Sequence, residues 1–114
     1  MAAAQYDLII EQGTTFARTV TVKENGVVKD LTGYVARAQI RRSHDSTAIL
    51  QTITVAVTDA VNGVVTLGLT SVLTAALSPD QSAVWDMEID DQAGTPVVTR
   101  VLEGRVEIRP EVTR

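Results

Sequence analysis

The chain has 114 residues, with 14 acidic side chains, 10 basic side chains and no cysteine. This length fits a single domain, predicted over 1–114, that buries a core unaided, and the missing cysteines exclude disulfides and cysteine-ligated zinc. A net charge of −4 and an aromatic content of 4% argue against a nucleic-acid binder, which needs a basic stripe with stacking rings. No apolar run is long enough for a membrane span, and 1–5 do not resemble a secretory signal. We therefore expect synthesis in a cytoplasm and neither nucleic acid nor membrane as a partner.

The first third of the chain has the composition and alternation of β-strands. Val, Thr and Ile make up 39 of the 114 residues, and these β-branched side chains favour strands. Residues 6–10 are a short apolar run, predicted as the first strand, and 14–23 alternate as a half-buried strand does. Arg18 interrupts the apolar face of that strand, which indicates a sheet edge. Asn25-Gly26 is a strong hairpin signal, because both positions of the turn take positive φ.

The middle of the chain continues this pattern, with one interruption. Alternation predicts strands over 35–42, 48–57 and 64–69, the last two joined by a turn at Asn62-Gly63. A short helical insert is predicted near 70–78, where the helical stripe consists of Val72, Leu73, Ala76 and Leu77. Thr70 or Ser71 would cap its start, and Pro79 would stop it.

The last third contains the clearest alternation. Over 83–91, Trp85, Met87 and Ile89 face one way and acidic residues face the other. Further strand pattern covers 96–102 and 104–109, with Gly104 predicted as a bulge or bend. About seven to nine short strands with turn signals between them are typical of a β-sandwich or a small barrel.

No group of residues predicts a catalytic, metal or cofactor site, so we expect a protein that is not an enzyme. His44 is the only histidine, and a role as general base with Asp45 would need a serine nucleophile in a strained turn, which the loop lacks. An exposed loop is the favoured interpretation. The acidic row Asp86, Glu88, Asp90 and Asp91 would line up along a strand rather than converge on a cation, so a solvated outer face is favoured there.

Charge suggests one candidate interaction surface. Arg37, Arg41 and Arg42 could form a positive patch complementary to the acidic row, which includes Asp90 and Asp91, and this would suit head-to-tail or ring packing between copies. Pairing of these charges within one sheet is an equally open alternative.

The order of motifs resembles the immunoglobulin-like N-terminal domain of phage baseplate upper proteins and related tail-fibre adaptors. The motifs that carry the resemblance are D-L-I-I-E-Q-G-T-T-F at 7–16, D-L-T-G-Y-V-A-R-A-Q-I-R at 30–41, V-V-T-L at 64–67, the helical insert, A-V-W-D-M-E-I at 83–89 and L-E-G-R-V-E-I at 102–108. The resemblance implies an all-β, immunoglobulin-like sandwich of antiparallel strands, with no catalytic residues and no cofactor. Baseplate upper proteins continue beyond this domain, so a stand-alone version is expected here.

The resemblance implies a structural role in a virion. We expect an adaptor in the phage tail or baseplate that docks tail fibres or receptor-binding proteins. Its candidate partners are other tail, baseplate or fibre proteins and further copies of itself. The apolar side chains Tyr6, Leu8 and Ile10 could complete the sheet of a neighbour by strand addition, or form an ordinary edge strand of their own domain. A head-decoration or neck protein and a carbohydrate-binding module are the alternatives.

Overall fold

Strands with one apolar face form most of the protein. A computed structural model describes residues 3–79 and 82–113, and within those ranges it contains ten strands and one helix. The elements are β1 (Ala4–Gln5), β2 (Leu8–Glu11), β3 (Phe16–Thr21), β4 (Lys23–Glu24), β5 (Val27–Val28), β6 (Val35–Arg41), β7 (Gln51–Asp59), β8 (Val64–Leu69), α1 (Ser71–Ala75), β9 (Ala83–Asp90) and β10 (Val98–Arg109). Three of these strands have only two residues, so the number of longer strands agrees with the predicted range.

The long strands form two curled sheets that share β7. The first part of β7, 51–53, pairs with β6, whereas 54–59 pair with β8. The strand order is β10–β9–β6–β7 on one side of this junction and β7–β8–β3 on the other. Because β7 passes from one sheet into the other, the two sheets fold over a common core. This confirms the predicted all-β sandwich with one short helix.

The N-terminal strands depart from the predicted antiparallel arrangement. Both β1 and β2 pair with β10 in parallel, with Ala4 opposite Leu102 and Leu8 opposite Val106. Turn motifs specify antiparallel neighbours, because a tight turn reverses the chain. The pairing of the first strands with the last strand involves no turn, so no local signal specifies its direction.

The core is aliphatic and surrounds one tryptophan. Trp85 lies in β9 and is 1% exposed, and the buried set includes Ile40 of β6, Ile53 of β7 and Leu67 of β8. The alternation predicted for the strand at 14–23 is also confirmed, because its apolar face (Phe16, Val20 and Val22) is buried.

The helix and the start of β7 correct two details of the predicted pattern. Thr70 caps α1, and its hydroxyl accepts a hydrogen bond from the Leu73 N–H. Leu77 is buried and Leu73 packs against the core, whereas Val72 is 76% exposed, so the predicted stripe is only half right. Because α1 has only five residues, it contacts the core through its last turn, where the chain returns to the sandwich. β7 begins at Gln51 rather than at 48, which leaves Ile49 exposed in the preceding loop.

The connections lie at two ends of an elongated molecule with extents of 44 × 28 × 25 Å. In antiparallel neighbours, successive loops fall at alternate ends of the strands. One end therefore carries segments 22–34, 60–63 and 91–97, where the Gln92 side chain donates to the Gly33 carbonyl and the Leu31 N–H to the Ala60 carbonyl. The opposite end carries 12–15, 42–50, 70–79 and 110–113, and we call it the helix end.

Candidate functional site

The first candidate surface is the N-terminal segment, which is fixed where the chain passes from β1 to β2. The Tyr6 N–H donates to the Glu103 carbonyl at 2.8 Å, and the buried Trp85 Nε1 donates to the Tyr6 carbonyl at 2.7 Å. The Asp7 carboxylate accepts a hydrogen bond from the Arg105 N–H at 2.9 Å, which holds the pKa of Asp7 below its ordinary value. We call this set of contacts the N-terminal latch.

Gly104 lies under the latch and corrects the bulge predicted there. The register of β10 against β9 shifts between Arg100 and Leu102, not at Gly104. A Cβ atom at Gly104 would overlap the Tyr6 carbonyl oxygen and lie 2.7 Å from the Asp7 Oδ1. Glycine is therefore needed here because another stretch of backbone crosses it, a requirement that local sequence does not reveal.

Two of the residues predicted to contact a neighbour lie inside the domain. Leu8 and Ile10 are buried on β2 and belong to the core, and Tyr6 packs partly buried with its ring edge-on to Trp85, 6.4 Å between centroids. In this arrangement the segment is an edge strand of its own sheet. Strand addition to a neighbour stays a prediction. It could use the edge of β2 that faces away from β10, whereas insertion of the Leu8 and Ile10 side chains into a neighbour would require β2 to leave β10.

The second candidate surface is the outward side of β6, β9 and β10, which we call the charged face. Carboxylates along β9 lie between arginines on the two flanking strands. Arg37 of β6 contacts Glu88 at 3.1 Å and Asp90 at 3.7 Å, and Arg100 of β10 contacts Asp86 at 3.1 Å. These side chains are partly exposed, and ion pairs of this kind contribute only about 0–1 kcal/mol each. Most of the charge on this face is thus neutralised within the sheet.

The charges predicted as two complementary patches are distributed over the charged face and the two ends of the molecule. Arg37 pairs with Asp90, whereas Arg41 donates to the Ser46 carbonyl at 2.9 Å, and Arg42 lies exposed on the bend beyond it. Asp91 stabilises the loop after β9 by accepting from the Val97 N–H at 3.0 Å, and this bond lowers the pKa of Asp91. Because β6 and β9 are antiparallel, Arg41 and Arg42 lie at the helix end and Asp91 at the other end.

The charged face is also concave. A shallow groove of about 340 Å³ runs along it, and exposed His44 reaches its rim. Within 3–79 and 82–113, no three His, Cys, Asp or Glu side chains are grouped as metal ligands would be. The described part of the chain also has no helix long and apolar enough to cross a membrane.

The structure shows exposed apolar residues that the strand patterns did not single out. Six exposed valines gather at the end opposite the helix end, which we call the valine end: Val27, Val28, Val35, Val61, Val97 and Val98. The signal for them was present in the sequence. Val27 begins β5 directly after the Asn25-Gly26 turn, and Val61 lies in the turn that contains Asn62-Gly63, so both side chains lie beside turns, where the two main sheets do not cover them.

Comparison with known proteins identifies the class of fold. No protein-family model matches the chain, and no curated protein matches its sequence. Among solved structures, it is similar to the N-terminal domain of phage TP901-1 ORF48, with a TM-score of 0.63 and 14% sequence identity. The similarity covers 90% of this chain and 83% of that domain. At this identity the match establishes a shared fold, one that a phage protein also uses.

Proposed function

We propose that this protein is a non-enzymatic structural component of a phage virion, an adaptor in the tail or baseplate that docks tail fibres or receptor-binding proteins. The observation that carries the proposal is the match of fold, over 90% of the chain, to a domain of a phage protein. The motifs at 30–41 and 83–89, which resemble phage adaptor domains, support it independently, because they come from the sequence rather than from the fold.

The surface chemistry supports docking rather than catalysis. The charges of the exposed sheet face are largely paired with one another, and the conspicuous apolar surface lies at the valine end. Exposed apolar patches on a small domain are typical of contacts with other proteins. The partners we propose are accordingly other tail, baseplate or fibre proteins, and the location is the virion after synthesis in the host cytoplasm.

The aromatic side chains do not favour the carbohydrate-binding alternative. Such modules usually stack sugars on exposed rings, whereas Phe16 and Trp85 are buried and Tyr6 and Tyr34 are half-buried. A head-decoration or neck protein would have the same fold, so it is separated from the adaptor only by location.

Cryo-electron microscopy of purified phage particles tests the proposal. We expect density that fits the sandwich at the tail tip, next to fibre or receptor-binding proteins. Density confined to the capsid faces or the neck would overturn the adaptor role but keep the structural one. A virion map in which all protein density is assigned to other chains would overturn both.

A further inference from the structure

The exposed apolar residues are distributed unevenly over the molecule. Of the ten large hydrophobic side chains exposed among the described residues, six belong to the valine end. Four of these lie in or beside its loops, and two, Val35 and Val98, flank Asp90 at the adjoining margin of the charged face. Three more lie at the helix end: Ile49 before β7, Val72 on α1 and Val112 after β10. Ile9, on β2, lies along the side of the sandwich. The two ends, with the margin of the charged face that adjoins the valine end, therefore carry nearly all of the large hydrophobic side chains exposed among the described residues, while the charges on the rest of that face are largely paired with one another.

The two ends also differ in charge. The valine end carries five carboxylates (Glu24, Asp30, Asp59, Asp90 and Asp91) and three basic side chains (Lys23, Lys29 and Arg37), a net charge of −2. Glu24 pairs with Lys29 and Asp90 with Arg37. The other three carboxylates accept hydrogen bonds from neutral groups, so their charge is retained.

At the helix end, the loops and strand ends that the structure describes carry equal numbers of acidic and basic side chains, and the basic ones are all arginines. Arg41, Arg42 and Arg109 lie there with Glu11, Asp45 and Glu111, and Arg109 forms an ion pair with Glu107 of β10 at 2.9 Å. Arg41 donates to the neutral oxygens of Ser46 and Gln39, and Arg42 is exposed, so this loop is locally positive.

We propose that the valine end docks onto the helix end of a second copy of this chain, in a head-to-tail contact. Both surfaces are apolar, and the acidic valine end meets the Arg41-Arg42 loop. Two valine ends facing one another would instead bring like net charges together, which costs free energy. A contact between unlike ends is heterologous, so it builds a ring if the rotation closes and a chain if it does not.

The size of the ends sets the expected strength of this contact. A cross-section of 28 × 25 Å allows roughly 550 Å² of contact per copy, or roughly 1,100 Å² in total, at the lower limit of specific interfaces. We therefore expect a Kd between about 10 μM and about 1 mM in isolation. Several such contacts held together in an assembly would reinforce one another.

Sedimentation of purified protein tests the proposal with one variant for each end. Val27→Glu with Val61→Glu blocks the valine end, and Val72→Glu with Val112→Glu blocks the helix end, because these side chains are 66–95% exposed. We expect association of the wild type to rise with concentration, and each variant alone to associate at least about tenfold more weakly.

A mixture of the two variants distinguishes a head-to-tail contact from a symmetric one. Each variant retains the end that the other lacks, so an equimolar mixture should form a one-to-one dimer and nothing larger. Thr19→Glu with Thr54→Glu adds the same charge to exposed positions on the side of the second sheet and should associate as the wild type does. Circular dichroism of every variant confirms that it is folded.

Four outcomes overturn the proposal. They are a wild type that stays monomeric up to about 1 mM, an end variant that associates like the wild type, a mixture that forms no dimer, and a control that loses association. These experiments use the isolated protein, so their result does not depend on where the protein acts.

Discussion

Replacement of Gly104 by alanine tests the N-terminal latch directly. The backbone of Gly104 does not have the positive φ that disfavours alanine, so the substitution acts through the space that the new methyl group occupies. That methyl group would overlap the Tyr6 carbonyl, which must move away from β10. The movement strains the hydrogen bonds from Trp85 Nε1 and from the Tyr6 N–H.

The expected cost follows from those contacts. A buried indole N–H without a partner costs about 1–3 kcal/mol. Overpacking also costs about 1–3 kcal/mol, and because both values describe the same displacement of Tyr6, they are not added. The lower entropy of the unfolded alanine chain returns about 0.4–1 kcal/mol. We expect Gly104→Ala to reduce the free energy of unfolding by about 1–2.5 kcal/mol, and to lower Tm by about 5–10 °C in a domain of this size.

Urea unfolding followed by the fluorescence of Trp85 measures this loss, since the chain contains one tryptophan. Gly68→Ala is the matched control, because a Cβ there, also in a strand, has its nearest neighbour at an ordinary 3.8 Å. The control should unfold within about 1 kcal/mol of the wild type. If Gly104→Ala were as stable as Gly68→Ala, the close approach of Tyr6 would not constrain position 104, and the latch would be refuted.

Three further substitutions probe the latch and the charged face. Because the folded state lowers the pKa of Asp7 below its ordinary value of 3.8, the ionised carboxylate stabilises the fold at higher pH, and this contribution is lost as the pH falls through the folded pKa. In acid unfolding, the difference in stability between the wild type and Asp7→Asn should therefore narrow below about pH 4. A difference that stays constant from pH 7 to pH 2 would refute this role of Asp7. Trp85→Phe removes the donor to the Tyr6 carbonyl and leaves a cavity, so thermal unfolding followed by circular dichroism should show a loss of about 2–4 kcal/mol in the free energy of unfolding. A loss of less than about 1 kcal/mol would contradict the role of Trp85 in the latch. Arg37→Ala breaks only partly exposed ion pairs, so the same measurement should show a loss of at most about 1 kcal/mol in the free energy of unfolding. A loss of about 3 kcal/mol would show that the pairs of Arg37 with Glu88 and Asp90 are stronger than ordinary surface ion pairs.

The parts of the fold that local patterns determine were predictable from the sequence. Asn25 and Gly26 have φ of 54° and 78°, as the hairpin signal requires. Trp85 is buried because it occupies the inward phase of an alternating strand, and Arg18 lies on β3, which has one sheet neighbour and so forms an edge. Each of these features depends on residues close together in the chain.

The parts that depend on distant segments were not predictable. The parallel pairing of β2 with β10 joins the two ends of the described chain, and the need for glycine at position 104 comes from Tyr6, far away in sequence. In the candidate surfaces, too, residue types could be predicted from the local sequence, whereas the pairing of those residues could not. The arginines and carboxylates were identified by type, but whether Arg37 pairs with Asp90 or faces a partner depended on the register of β6 against β9.

The central claim, that this chain is a structural component of a virion, is tested most directly by quantitative mass spectrometry of gradient-purified phage particles. We expect peptides of the chain in a fixed ratio to the tail proteins, unchanged by further purification. Particles in which the other tail proteins are detected and this chain is absent would contradict the claim.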